Sequence, residues 1–395
     1  MNKFSKIILK SKKEQSLKRY HPWVFSGAIK KIIGNVSEGD IVEVYSNNDD
    51  FLGIGHYQIG SIAIRVFSFE KIEPDKEFWK NRILNAYQLR CKLGLANNKE
   101  TNVYRLVNAE GDQLPGLIID YYNGTLVMQM HSIGMYLLRN EIAEVLKEIF
   151  SDKLLAIYDK SEKTLPFKAK IEPVNEYLIN NSSVNEVVEY GNKFIVDWEG
   201  GQKTGFFIDQ RQNRRLLEKF AKDKDVLNVF GYTGGFSVYA LRGGAKEVRT
   251  IDSSKSAIEL TEKNINLNFG NISNHKSFAV DAFRYIENIK NKYDVIILDP
   301  PAFAKHHNVL HNALQGYKRI NLKAIEQIRA GGIIFTFSCS QAVSKENFIR
   351  SVFVASANSG RNVKILHHLT QPSDHPVSIY HPEGEYLKGL VLYVE

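Results

Sequence analysis

The alternation of apolar and polar positions divides the chain into regimes. Over residues 1–70, Ile41-Val42-Glu43-Val44-Tyr45 and Ile62-Ala63-Ile64-Arg65-Val66-Phe67 carry the period of half-buried strands. Turn signals at Gly34-Asn35, Asn47 to Asp50 and Gly53/Gly55 separate them, which predicts a small β-rich domain. Residues 71–100 predict one linking helix, opened by Pro74-Asp75, apolar at Phe78, Ile83, Tyr87 and Leu89, and closed near Gly94. Residues 101–185 predict a central α+β domain. There Leu117–Asp120 and Thr125–Gln129 form a hairpin turned at Asn123-Gly124, and 137–150 forms a helix.

From residue 186 to 395 the pattern becomes regular. Apolar strands are predicted at 226–230, 247–251, 276–280, 294–298 and 332–337. Helices are predicted near 236–242, 254–268, 282–290, 311–329 and 343–358. This alternation predicts a doubly wound, mostly parallel, Rossmann-like α/β sheet. Such sheets bind ligands beyond the carboxyl ends of their strands, so the residues following each strand are the candidates for chemistry.

Charge adds a location. Of 52 Lys+Arg against 44 Asp+Glu, residues 1–31 hold nine basic side chains and one acid, and so carry the whole formal charge of +8. Within this patch Lys18-Arg19-Tyr20-His21-Pro22-Trp23 interleaves cations with aromatics, as single-stranded or looped RNA requires. Lys12, Lys13, Lys18, Arg19 and Trp23 are the candidate RNA contacts. A solvated lysine-rich arm and a small-barrel core position for Trp23 are the alternatives. No apolar run approaches the ~18 residues of a membrane span. With only two cysteines, Cys91 and Cys339, neither a disulfide framework nor a cysteine-rich zinc site is available, and a reducing cytoplasm is expected.

Three strand ends describe an adenosine site. The first strand carries Asn228 and Phe230 and runs into Gly231-Tyr232-Thr233-Gly234-Gly235-Phe236-Ser237, a turn that is neither the dinucleotide fingerprint nor a P-loop. Asp252 follows the second strand, where an acid can accept both ribose hydroxyls. Asp281 follows the third, with Ala282-Phe283 beside it for an adenine amino group and ring face. Each acid alone could simply cap a helix. Together they fit S-adenosylmethionine, with Tyr232, Thr233, Gly234, Gly235 and Ser237 as loop contacts. Upstream, Lys203, Thr204, Phe206 and Gln210, in the segment Lys203 to Arg211, are expected to cover its methionine end.

After the fourth strand come Asp299-Pro300-Pro301-Ala302-Phe303, and after the fifth Ser338-Cys339-Ser340. Asp299 and Pro300 face the cofactor edge, Phe303 can stack on a flipped base, and Lys318 can touch phosphate. Neighbouring strands should bring Asp299 and Cys339 to one crevice. A thiolate there could add to C6 of a cytosine and make C5 nucleophilic, with an acid supplying a proton near N3. The alternatives are a buried structural thiol, methylation of an exocyclic base nitrogen, and a non-catalytic RNA-binding assembly factor. His306, His307 and His311 lack acids or cysteines at ligand spacing, and no metal is assigned to them.

The motifs resemble the bacterial 23S ribosomal RNA (cytosine-5) methyltransferases of the large-subunit type, which join a PUA domain to a class I methyltransferase domain. The resemblance rests on His21-Pro22-Trp23-Val24-Phe25-Ser26-Gly27, Gly111-Asp112-Gln113-Leu114-Pro115-Gly116-Leu117 and Lys203 to Arg211. It continues through Tyr232 to Ser237, Asp299-Pro300-Pro301 and Phe337-Ser338-Cys339-Ser340, and closes with Asp374-His375-Pro376 and Pro382 to Gly389. It implies S-adenosylmethionine as cofactor, large-subunit ribosomal RNA as substrate and 5-methylcytosine as product. A homodimer is compatible with it, and a membrane is not expected. Many relatives have Lys after Asp-Pro-Pro where this chain has Ala302.

Overall fold

The computed structural model describes residues 4–166, 171–303 and 310–395. The chain divides into two compact units. The first comprises Met1–Val188, Val196–Ile208 and Ser373–Gly384, and the second Glu189–Ile195, Asp209–Pro372 and Glu385–Glu395. The expected divisions at 70, 100 and 185 differ from this one. Residues 1–188 fall in a single unit, and two further pieces of the expected 186–395 domain, 196–208 and 373–384, belong with it.

The first unit holds two sheets. Strands β1 (Ser5–Leu9), β2 (Trp23–Phe25), β3 (Ile29–Ile33), β4 (Ile41–Tyr45), β5 (Phe51–Tyr57) and β6 (Ile62–Ser68) pair in the order β2-β6-β5-β4-β1-β3. Their inward positions, among them Ile7, Val24, Val42, Val44, Ile64 and Val66, form one core. The helix Lys76–Lys92 begins where the sequence predicts, because Asp75 accepts the Phe78 N–H at 2.9 Å as its N-cap. Strands β7 (Val103–Asn108), β8 (Leu117–Tyr122), β9 (Thr125–Met130), β10 (Ala156–Asp159) and β11 (Glu176–Ile179) pair in the order β11-β10-β9-β8-β7. The β8–β9 hairpin closes Tyr122 against Thr125, with Asn123 and Gly124 both at positive φ, 45° and 96°. Asn-Gly suits this turn because a primed turn needs positive φ at both central residues.

After the short strands β12 (Glu186–Glu189) and β13 (Asn192–Ile195), the second unit is built on seven strands. These are β14 (Asp225–Val229), β15 (Glu247–Asp252), β16 (His275–Ala279), β17 (Val295–Leu298), β18 (Gly332–Ser338), β19 (Val363–Leu369) and β20 (Lys388–Val394). The order is β16-β15-β14-β17-β18-β20-β19. The five predicted strands all run parallel to one another, with the order reversing beside β14. The last two were not predicted: β20 slots antiparallel between β18 and β19. Helices Leu310–Gln327 and Lys345–Ser359 contribute Tyr317, Ile320, Phe348 and Val352 to the core on one side of the sheet.

Candidate active site

The turn after β14 is held under tension against β15. Phe230 and Tyr232 both have positive φ, 61° and 45°, in a region non-glycine residues visit rarely. A Cβ on Gly231 would lie 2.2 Å from the Thr250 Cγ2, so only glycine allows the close approach. Asp252, at the end of β15, fixes the turn by accepting the Tyr232 N–H at 3.0 Å and the Ser254 N–H at 2.9 Å. Thr261 donates to the Tyr232 carbonyl, and Asn264 to that of Thr233. A carboxylate offers about four acceptor positions. Asp252 thus keeps acceptor capacity for a vicinal diol, and this donor set fits an adenosyl group.

Not every expected cofactor contact lies on that surface. Asn228 and Ser237 are buried beneath the turn, in a hydrogen-bonded chain that runs Asn228–Ser237 (2.9 Å), Ser237–Thr250 (2.6 Å) and Thr250–His275 (2.9 Å). They brace the turn from below. Asp281 caps the helix Ala282–Ile286 by accepting the Arg284 N–H at 2.9 Å, the capping role that competed with a ligand role in the sequence, and Ala282 is core. Buried Gln210 accepts from Asn213 at 2.6 Å. Lys203, Thr204 and Phe206 belong to the first unit. There the Thr204 hydroxyl donates to Asp120 at 2.6 Å and lies 2.9 Å from the Tyr122 hydroxyl, while Phe206 is buried.

The fourth and fifth strands position the two candidates for chemistry. β17 and β18 are parallel neighbours with Leu298 opposite Thr336, so Asp299 and Cys339 both leave the sheet at its carboxyl edge. Both are half-buried, and Pro300 is buried. Tyr317 lies near both, and its hydroxyl accepts from Ser338 at 2.9 Å. Burial pushes the Tyr317 hydroxyl up to about 12; Cys339 and Asp299 act in the same direction, and the Ser338 bond against it. Phe303 packs 4.8 Å from the Tyr317 ring and 6.4 Å from Phe283, which carries Arg319 at 4.2 Å over its face. Lys318, on the same helix as Tyr317, is half-buried. Sequence reasoning missed Lys388 on β20. It lies opposite Ser338, and its Nζ donates to the Ser340 carbonyl at 2.7 Å.

In the first unit Lys12, Lys13, Lys18 and Arg19 are exposed. Trp23 is not an open platform, because its Nε1 donates to Glu110 at 2.8 Å and His381 packs 4.3 Å from its ring. Tyr20 and Phe25, each about half exposed, are the open aromatic faces of this patch. His21, His381 and Glu383 gather there with nitrogen and oxygen atoms within 4.8 Å of one another. His21 Nδ1 accepts the Trp23 N–H, which places the ring proton on Nε2, facing Glu383 at 3.3 Å. His306 and His307 lie outside the described residues, and His311 is exposed.

Residues 114–381 match the family described as S-adenosylmethionine-dependent methyltransferase, and residues 7–69 match a PUA-like domain. The ribosomal RNA large subunit methyltransferase I of Aeromonas salmonicida is 39% identical over 393 residues, 98% of each chain. That of Klebsiella pneumoniae is 35% identical over 398 residues, 99% of this chain and 98% of its own. Among solved structures, a putative methyltransferase crystallised with S-adenosylhomocysteine superposes with a TM-score of 0.85 at 25% identity, covering 98% of this chain and all of its own. A putative methyltransferase from Streptococcus mutans shares the fold, with a TM-score of 0.84 at 24% identity over 98% of this chain and all of its own. The chain belongs to the S-adenosylmethionine-dependent methyltransferases, and within them to the ribosomal RNA large subunit methyltransferase I family. Its cofactor is S-adenosylmethionine.

Proposed function

We propose that the chain methylates C5 of a cytosine in large-subunit ribosomal RNA, with Cys339 as nucleophile and Asp299 as the acid at N3. The observation that carries this is the emergence of Cys339 and Asp299 from adjacent parallel strands, both close enough to act on the Tyr317 hydroxyl. The names of the full-length relatives supply the RNA class. When bound, S-adenosylmethionine supplies an electrophilic methyl group. The chain's own task is to make an aromatic carbon nucleophilic.

The Cys339 thiolate forms a bond to C6, and the displaced π electrons move towards N3, where Asp299 donates a proton. C5 becomes enamine-like and can take the methyl. A base then removes the C5 proton, the electrons reform the C5–C6 double bond, the sulfur leaves as thiolate, and N3 returns its proton to Asp299. Of the expected cofactor contacts, Tyr232, Thr233, Gly234 and Gly235 lie along the turn, Phe230 before it, and Asp252 is placed for the ribose. Lys12, Lys13, Lys18 and Arg19 bind RNA phosphates, and Phe303 stacks on the target base.

RNA containing 5-fluorocytosine tests the covalent step, because fluorine at C5 blocks proton removal and traps the adduct. The wild-type chain should form a denaturation-resistant complex with cofactor present, and Cys339→Ala should form none. Unimpaired methylation by Cys339→Ala would overturn the reading.

A further inference from the structure

Lys388 is the one charged side chain on β20, in a strand whose other residues are Gly, Leu, Val, Leu, Tyr and Val. It is 95% buried, where an ammonium ordinarily needs an anion to offset lost hydration. Among the described residues no carboxylate lies within ion-pair distance of it. Its hydrogen bond goes to the neutral carbonyl of Ser340, one residue past Cys339. Antiparallel pairing sets Lys388 opposite Ser338, the residue before Cys339. Its backbone position and its head group thus bracket the Cys339 segment.

We infer that Lys388 is a positioning residue that holds Cys339 as a thiolate, the thiolate being the counter-charge that the buried ammonium otherwise lacks. The inference rests on the cytosine-C5 reading for its catalytic meaning, though the ion pair itself does not. Other titratable groups also face the pair. Tyr317 and Asp299 lie on the Cys339 side, and Glu385 acts on Lys388. Burial lowers the ammonium to about 8, and Cys339 and Glu385 oppose that fall, so Lys388 remains largely charged at neutral pH. A cation beside a thiol lowers its pKa and enriches the nucleophilic form.

The test is the pH profile of Cys339 alkylation by iodoacetamide, in a Cys91→Ser background so that one thiol reports. The unmodified site should titrate with a midpoint below the ordinary thiol value of about 8.5. In Lys388→Met the midpoint should rise by about one unit or more, with S-adenosylmethionine binding by calorimetry showing that the unit is still folded. Lys388→Arg, which keeps the charge, should hold the lowered midpoint. A midpoint at the ordinary value with Lys388 in place overturns the inference even if Lys388→Met fails to fold. So does an equal rise in Lys388→Met and Lys388→Arg, which would assign the effect to packing. The 5-fluorocytosine adduct separates the two readings. An adduct with an ordinary midpoint sinks the Lys388 role alone, and a lowered midpoint without an adduct sinks cytosine-C5 chemistry while leaving the ion pair.

Discussion

Asp252 is placed to serve two ends. Two of its acceptor positions hold the glycine turn through Tyr232 and Ser254, and the rest are available to a ribose. Asp252→Asn should weaken S-adenosylmethionine binding about 10–100-fold, the range for hydrogen bonds to a charged group. Isothermal calorimetry reads this directly, and unchanged affinity would place the ribose elsewhere. Asp252, Asp299 and Cys339 were legible in the sequence because each follows an apolar run recognisable as a buried parallel strand. Asn228 and Ser237 sat in the right motif but face inward, since motif membership does not say which side of a turn a side chain takes. Which of its two expected environments Trp23 takes was not legible either, because its partners Glu110 and His381 are remote in sequence. Lys388 escaped notice because its relation to Cys339 exists only through strand pairing.

Among the elements, the five parallel strands and the helices between them follow from continuous apolar runs alternating with amphipathic ones. β20 is an apolar run too, from Gly389 to Val394, but it and β19 fall outside that alternation. No α-helix lies between them, only the 3-10 turn Pro382–Gly384, and β19 is an exposed edge strand with histidines at 367 and 368. Strand β5 carries a consequence for stability. Its His56 is buried against Phe67 and Trp79, with ring centroids at 4.9 and 5.9 Å, and burial pushes its pKa down to about 3, the nearby Arg65 adding to the effect. The unfolded chain titrates near 6.5, so between pH 6.5 and 3 it binds a proton that the folded chain does not. Stability from this group is complete above pH 6.5 and falls by about 1.4 kcal/mol per pH unit below it. Urea denaturation between pH 7 and 4 should show that loss, and His56→Gln should flatten it. An unchanged slope would mean that His56 does not remain neutral.

For the whole molecule, the charge arithmetic reduces to a statement about partners. The excess of +8 lies in the first 31 residues, and its side chains Lys12, Lys13, Lys18 and Arg19 are exposed. Among the described residues no helix is long and apolar enough to cross a membrane. Replacing those four cations by Ala should weaken RNA binding and lower the slope of log affinity against log salt by roughly 0.7–0.9 per lost phosphate contact. S-adenosylmethionine affinity should not change. Filter binding across a salt series decides it, and an unaltered slope would return the patch to a solvated arm. The division into two units was less legible, because the chain returns to the first unit at 196–208 and again at 373–384. Composition does not register such excursions.

Cytosine-C5 chemistry is most directly tested by the identity of the methylated nucleoside. Large-subunit ribosomal RNA lacking the modification should be incubated with the protein and isotopically labelled S-adenosylmethionine, digested to nucleosides, and analysed by mass spectrometry. The label is expected in 5-methylcytidine. Label in a cytidine or adenosine methylated on its exocyclic nitrogen would contradict the roles given to Cys339 and Asp299.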